Sequence, residues 1–282
     1  MRFRQSFLKR FMSCPAQAKF AEIDQLPEPE NFKQVFGTIV HYCLEQMNLG
    51  MPPDAALALF DDLWLNPDKL GCNPTVMPRM TSYGGLSNKG AEILHNFAGK
   101  YRWEDRTFVA SEHRFLVPFG RHELTGTIDL LELRKNHKGT ELLRVCDYKT
   151  NTRKPTWAEL AANIQFTVYS YATTQREFWV GNGDEFPGLP NGEEMFEALT
   201  NVARRSIWYH LWTGQELDAG TRSEAEFRRL YRLCDQIDKA IQLDVFVPDI
   251  SGSTCIFCPF TEPCGLVIPT ADELIEQEAA WA

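Results

Sequence analysis

The chain lacks an excess of positive charge. Among its 282 residues, 29 lysines and arginines stand against 38 acids, a formal net charge of −9. A protein that coats nucleic acid needs a basic surface, and this balance argues against that class. It leaves room for an enzyme that meets phosphate in one narrow basic groove, where a bound cation would reverse the local effect of its carboxylate ligands. Long apolar runs are also missing. None approaches the roughly 18 residues that span a bilayer, so no membrane partner is expected. There is no internal repeat and no low-complexity tract, which excludes solenoids and arrays. The opening MRFRQSFLKRFMSCPAQAKF is basic and amphipathic, but charges interrupt its apolar positions. It reads as a first helix of the fold rather than a secretory signal, and a cytoplasmic setting is expected.

What is present is ordinary globular composition, 44% hydrophobic and 24% charged. That length supports one large core or two small ones. No boundary in the pattern is sharp enough to divide it, so a single domain over 1–282 is expected.

The stretch Gly126–Lys149, GTIDLLELRKNHKGTELLRVCDYK, organises the rest. Two strand-like runs flank a polar turn at Asn136-His137-Lys138-Gly139, the pattern of a hairpin. The first run carries Asp129 and the second ends in Asp147-Tyr148-Lys149. Strand side chains alternate, so Asp147 and Lys149 share one face while Cys146 and Tyr148 take the other. Two acids and a lysine at one sheet edge suit a divalent metal beside a phosphate. Carboxylates offer the hard oxygens that Mg²⁺ or Mn²⁺ takes. The ion would activate water, and the lysine would orient that water or offset transition-state charge. Any one of these acids alone is more often a solvated strand residue; the set on adjoining strands is not.

Helices are expected over about 3–13, 33–48, 53–65 and 86–101. The Gly- and Pro-rich NPDKLGCNPTVMPRMTSYGG is read as loop. Strands are expected over about 108–118, 123–133, 141–149 and 204–212. Cys14-Pro15 should end the first helix. A capping box, Thr156 with Glu159, should start a helix at Trp157 that runs to about Val180. The following GNGDEFPGLPNGEE reads as loop. A late amphipathic helix is expected over about 223–243, and a short acidic helix after the last cysteines.

Around the acids, several residues carry chemistry. His41 is a candidate ligand on the second helix, with Glu45 one turn on. A lone helical histidine is more often structural, but imidazole suits Mn²⁺. Glu112 is undecided between ligand and surface acid, and Glu123 reads as a surface acid. Gln165 and Tyr169 share one helix face and can either contact phosphate or support the site. Arg153 and Lys154, with Lys149, favour phosphate near the start of that helix.

Of eight cysteines, Cys43, Cys72, Cys146 and Cys234 lie in contexts that read as small buried hydrophobes. Cys255, Cys258 and Cys264 fall within ten positions and indicate a metal site that needs a fourth ligand. Cys14 is the best candidate. Four thiolates suit a [4Fe–4S] cluster or structural Zn²⁺, and spacing alone leaves both open.

Taken together, Gly37-x3-His41, Gly126-x2-Asp129, Asp147-Tyr148-Lys149-Thr150, Gln165-x3-Tyr169 and the four cysteines resemble the RecB-type nucleases of the PD-(D/E)XK superfamily. The subgroup most similar is the one with an iron–sulfur staple, as in AddB-type nuclease domains and CRISPR-adaptation exonucleases. The resemblance implies an α/β fold: a mixed central sheet flanked by helices, a helical N-terminal part (1–105), a catalytic core (106–215) and a helix with a cysteine-clamped tail (216–282). It implies metal ligation by His41, Asp129, Asp147 and the Tyr148 main-chain carbonyl, with Lys149 catalytic. It further implies a [4Fe–4S] cluster on Cys14, Cys255, Cys258 and Cys264. Two departures stand out: Asp147 occupies a position where many members have Glu, and the turn between Asp129 and Lys149 is long. The function implied is a Mg²⁺- or Mn²⁺-dependent DNA exonuclease acting on ends or single strands in recombination, repair or phage DNA processing. A homo-oligomer or a recombination partner protein would be compatible with that role. The alternative is a non-catalytic DNA-binding or zinc-stapled interaction protein on the same fold.

Overall fold

The computed structural model describes residues 1–77, 81–100, 106–249, 255 and 258–265. The chain divides into a larger compact unit, Met1–Gln5 with Pro29–Cys234, and a smaller one, Ser6–Glu28 with Asp235–Ala282. In chain order the elements are β1 (Arg2–Arg4), α1 (Gln5–Ser13), α2 (Pro15–Ala18), a π turn at Lys19–Ile23, α3 (Phe32–Asn48), α4 (Pro53–Leu65), a 3₁₀ turn at Pro67–Leu70 and α5 (Tyr83–Lys100). The strands β2 (Thr107–Phe119), β3 (His122–Lys135) and β4 (Glu141–Lys149) follow. After them come α6 (Trp157–Ala161), α7 (Ile164–Ala172), α8 (Arg176–Val180), α9 (Gly192–Leu199), β5 (Ala203–His210), β6 (Gln215–Gly220) and α10 (Glu224–Gln242).

The larger unit is built on β3. β2 runs antiparallel along one edge of it, from Thr107 opposite Leu133 to Phe119 opposite His122. The other edge is shared: β1 pairs in parallel with Glu123–Thr125, and β4 pairs antiparallel with Leu130–Lys135. β5 joins β4 in parallel, and β6 closes the sheet antiparallel to β5. A parallel partner for β4 requires a crossover, and α6–α9 supply it. The result is the mixed sheet flanked by helices that the resemblance implies.

α3, α4 and α5 cover one face. Phe36, Phe60, Trp64, Ile93 and Phe97 pack there with Leu130, Cys146, Tyr148 and Tyr209 from the sheet. On the opposite face Leu160 of α6 and Phe166 of α7 pack with Trp208 and Ala219. Cys43, Cys72, Cys146 and Cys234 are buried, as expected of small hydrophobes. Desolvation pushes the Cys43 thiol up to about 12.

In the smaller unit, Cys14 is extended (φ −158°) and Pro15 opens α2, so the break expected at this dipeptide is present. Phe20 packs against Phe260, with ring centroids 5.9 Å apart.

The structure departs from the sequence pattern in four places. Residues 2–4 are a strand, because the edge of β3 offers backbone partners that a three-residue pattern cannot announce. The single helix expected from Trp157 to Val180 is three helices. Asn163 stops the first and caps the second, its side chain accepting from the Gln165 N–H. Residues 192–199 form a helix within a stretch read as loop, entered through Asn191 in the left-handed region at φ 55°. β6 was not anticipated. The acidic helix expected after Cys264 lies outside the described residues. Among the described residues no helix is long and apolar enough to cross a membrane.

α3 is well founded at its start. The Asn31 side chain accepts from the Lys33 and Gln34 N–H groups, and Gln34 reaches back to the Asn31 N–H at 2.9 Å. Asn31→Ala is expected to destabilise the larger unit by about 0.5–2 kcal/mol, measured by urea unfolding. An unchanged midpoint would mean the cap contributes nothing.

Candidate active site

The sheet opens where β1 and β4 part along β3. The last β3–β4 pair is Leu130 with Cys146. One step further Asp129 would face Asp147. There the Tyr148 N–H donates to the Asp129 carboxylate at 2.5 Å. A carboxylate thus replaces a backbone carbonyl as the ladder's acceptor, and Asp129 and Asp147 lie in the gap. Both are buried, at 7% and 0% exposure.

α3 brings His41 to this gap. Its Nδ1 lies 3.6 Å from Asp129 Oδ2 and 3.6 Å from Glu112 Oε1. Two motif glycines admit the close packing. A Cβ at Gly37 would stand 3.3 Å from the Thr150 hydroxyl, and one at Gly126 would stand 3.0 Å from the Phe115 ring. Glu112, which sequence reading left undecided, joins the site. It lies opposite Asp129 but adopts φ 47°, which costs a non-glycine residue about 1–3 kcal/mol. One ligand atom each from His41, Glu112 and Asp129 falls within 4.8 Å of the others. Glu112 Oε1 is buried without a hydrogen bond. Two carboxylates and an imidazole with an unsatisfied buried oxygen fit a hard or borderline divalent cation.

Asp147 is held differently. Gln165 Nε2 donates to its Oδ1 at 2.7 Å and to the Tyr169 hydroxyl at 2.8 Å. Lys149 Nζ sits 2.5 Å from its Oδ2. Asp147 and Lys149 therefore share a face, as alternation requires, while Cys146 and Tyr148 enter the core beneath α3–α5. The Lys149 ammonium also lies 5.6 Å over the Trp208 ring. Of the two roles open to Gln165 and Tyr169, the geometry supports the second: both are buried, and they fix Asp147.

Charge explains the electrostatics. Burial raises the Asp129 carboxyl, Glu112 adds to the effect, and His41 and Lys149 oppose it. Burial raises Asp147 to about 6, against the pull of Lys149 and with the push of Asp129. Burial works to lower Lys149, but Asp147 and Asp129 outweigh it and the net shift is upward. His41 behaves alike: burial lowers, Asp129 and Glu112 raise, and the net is upward.

Arg153 and Lys154 are less available for phosphate than their charge implies. The Arg153 guanidinium pairs with Glu159 at 2.5 Å, and Lys154 bonds Gln215. The five-residue α6 commits its start to the Thr156–Glu159 capping box, so the anion site expected at a long helix's N-terminus is not built there. Glu123 pairs with Arg2 at the surface, as a surface acid would.

The four remaining candidate ligands lie in the smaller unit. Cys14, Cys255, Cys258 and Cys264 line one cavity of about 120 Å³ with Gln17, Phe20, Asp249 and Phe260. The Asp249 N–H donates to Cys14 Sγ at 3.3 Å, and Gln17 Nε2 to Cys258 Sγ at 3.8 Å. Burial raises the Cys255 thiol, and the other three cysteines raise it further.

The raised Asp147 carboxyl has a measurable consequence. The folded, metal-free protein holds a proton there that the unfolded chain releases at the ordinary carboxyl value of 3.8. The stability that this proton confers is lost as pH rises from there through about 6. In EDTA, wild type is expected to lose stability relative to Asp147→Asn across this window, followed by urea unfolding. A pH-independent difference between the two proteins would refute the proton-holding state.

The search among curated proteins returned no match. A solved structure titled "Crystal structure of SSO0001" is 12% identical, with 94% of this chain and 87% of that chain covered at a TM-score of 0.36. The profile of the PD-(D/E)XK nuclease superfamily matches residues 2–265. With a mixed sheet whose parted strands hold Asp129, Asp147 and Lys149, this chain belongs to the PD-(D/E)XK nuclease superfamily.

Proposed function

We propose that the protein is a Mg²⁺- or Mn²⁺-dependent deoxyribonuclease of RecB type, an exonuclease acting on DNA ends or single strands in recombination, repair or phage DNA processing. The superfamily carries metal-dependent nuclease activity. The observation that carries the reading here is the cation-ready cluster of His41, Glu112 and Asp129 beside the Asp147–Lys149 pair. His41, Asp129, Asp147 and the Tyr148 carbonyl are the proposed ligands, with Glu112 joining them. A divalent ion there would polarise the phosphoryl oxygen and make water nucleophilic near neutral pH.

The chain's own groups supply the rest. Gln165 holds one oxygen of Asp147 and thereby aims the other. Lys149 keeps its proton at neutral pH, because its upward shift strengthens the ammonium. In this reading it offsets charge on the pentavalent phosphorus and orients the attacking water. Arg153 and Lys154 reach DNA phosphate only by exchanging their present partners, at a modest cost for such exposed groups.

The smaller unit is proposed to hold a [4Fe–4S] cluster on Cys14, Cys255, Cys258 and Cys264, joining its N-terminal and C-terminal segments. All four thiols line one cavity, and backbone and side-chain N–H donors to Cys14 and Cys258 sulfur suit a cluster. Both units act in this reading as parts of one nuclease domain.

End-labelled single- and double-stranded DNA, labelled at either end and incubated with Mg²⁺ or Mn²⁺, tests the activity. Wild type is expected to release nucleotides and Lys149→Ala to release them at least about 10²-fold more slowly. Equal release would defeat the catalytic assignment. Protein purified without oxygen is expected to be brown, with broad visible absorption and about four irons per chain. A colourless protein with stoichiometric zinc would sink the cluster. Cys255→Ala should lower stability more than Lys149→Ala does.

A further inference from the structure

Behind the cation cluster lies a buried amide that the chemistry above does not use. Asn48 is the last residue of α3, two turns beyond His41, and is 7% exposed. Its Oδ1 accepts from Arg106 Nη1 at 3.1 Å. Its Nδ2 donates to the Tyr148 hydroxyl at 3.1 Å and to the Ser111 hydroxyl at 3.3 Å. Ser111 passes its own hydrogen to the Asp129 carbonyl at 2.9 Å. Arginine has donors only, so the amide oxygen must face Arg106 and both amide hydrogens are left for Ser111 and Tyr148. The orientation of the group is thus set by its neighbours.

We infer that Asn48 is the positioning residue of the metal centre. Two of its partners, Ser111 and Tyr148, adjoin proposed ligands, while Arg106 fixes the amide's orientation. Asn48 ends the helix that carries His41. Ser111 precedes Glu112, whose left-handed backbone needs support from outside its own strand. Tyr148 follows Asp147, and its N–H holds the Asp129 carboxylate. Ser111 also grips the main chain of Asp129. One side chain therefore ties α3, β2 and β4 directly and β3 through one hydroxyl, the four elements from which the ligands come. Small polar asparagine suits this junction because it gives one acceptor and two donors in a fixed plane. Leucine matches its size and offers neither. Aspartate would bond Arg106 but has no hydrogens for Ser111.

This role rests on the metal reading and is tested by metal binding rather than turnover. Mn²⁺ is titrated into the full-length protein and free Mn²⁺ is read by electron paramagnetic resonance, for wild type, Asn48→Leu, Ser111→Ala, the double variant and Leu63→Ala. Leu63 is buried on α4, outside the network. Asn48→Leu is expected to weaken Mn²⁺ binding about 10–100-fold. Ser111→Ala should weaken it by less, and the double variant by less than the product of the two. Leu63→Ala should lose stability with unchanged Mn²⁺ affinity. Wild-type affinity in Asn48→Leu overturns the inference. If Asn48→Leu does not fold, unchanged affinity in Ser111→Ala overturns it. Equal weakening in Leu63→Ala also overturns it, by reducing the effect to general destabilisation. A wild type that binds no Mn²⁺ overturns the metal reading itself, and the two failures are thereby distinguished.

Discussion

Two carboxylates buried in one gap between strands govern this structure. Ionised carboxylates out of water repel each other and lose solvation, so each is pushed toward its protonated form. Each must be answered by donors or cations. Asp129 takes a backbone N–H and lies beside His41; Asp147 takes an amide and an ammonium. Those answers come from α3, β4 and α7. The sheet must part at Leu130–Cys146 to admit them, and the helices must sit close enough to deliver them. Gly37 and Gly126 are small for that reason.

Asp147 and Glu112 are answered unequally, and the inequality has chemical content. Asp147 has the Gln165 amide on one oxygen and the Lys149 ammonium 2.5 Å from the other. Glu112 has an oxygen with no hydrogen bond and a backbone in a costly conformation. Strain of that kind persists only when the surroundings impose it. A cation between Glu112, Asp129 and His41 would satisfy what the protein leaves open there.

Much of this was legible from residue order, because alternation is a strong local rule. It placed Asp147 and Lys149 on one face and Tyr148 on the other, and the long apolar periodicities located α3, α4 and α10 within a few residues. What escaped was non-local or conformational. Arg2–Arg4 is a strand only because β3 has a free stretch of edge. Glu112 stayed undecided between ligand and surface acid, since nothing in its neighbours' identities reveals a left-handed residue within β2. The helix expected to run to Val180 failed at Asn163, where an i+2 side-chain cap outcompeted continuation. Charge alone could not show that Glu159, recognised as a capping residue, is also the ion-pair partner of Arg153.

The smaller unit's thiols and the larger unit's acids differ as donor sets. Asp129, Glu112 and His41 present hard oxygens and an imidazole within one small radius, which selects a compact divalent ion. The four cysteines offer soft sulfurs around one cavity; desolvation raises the Cys255 and Cys264 thiols, and neighbouring cysteines add to it. Soft thiolates suit zinc or iron rather than the hard ion that carboxylates take, so ligand hardness separates the two donor sets.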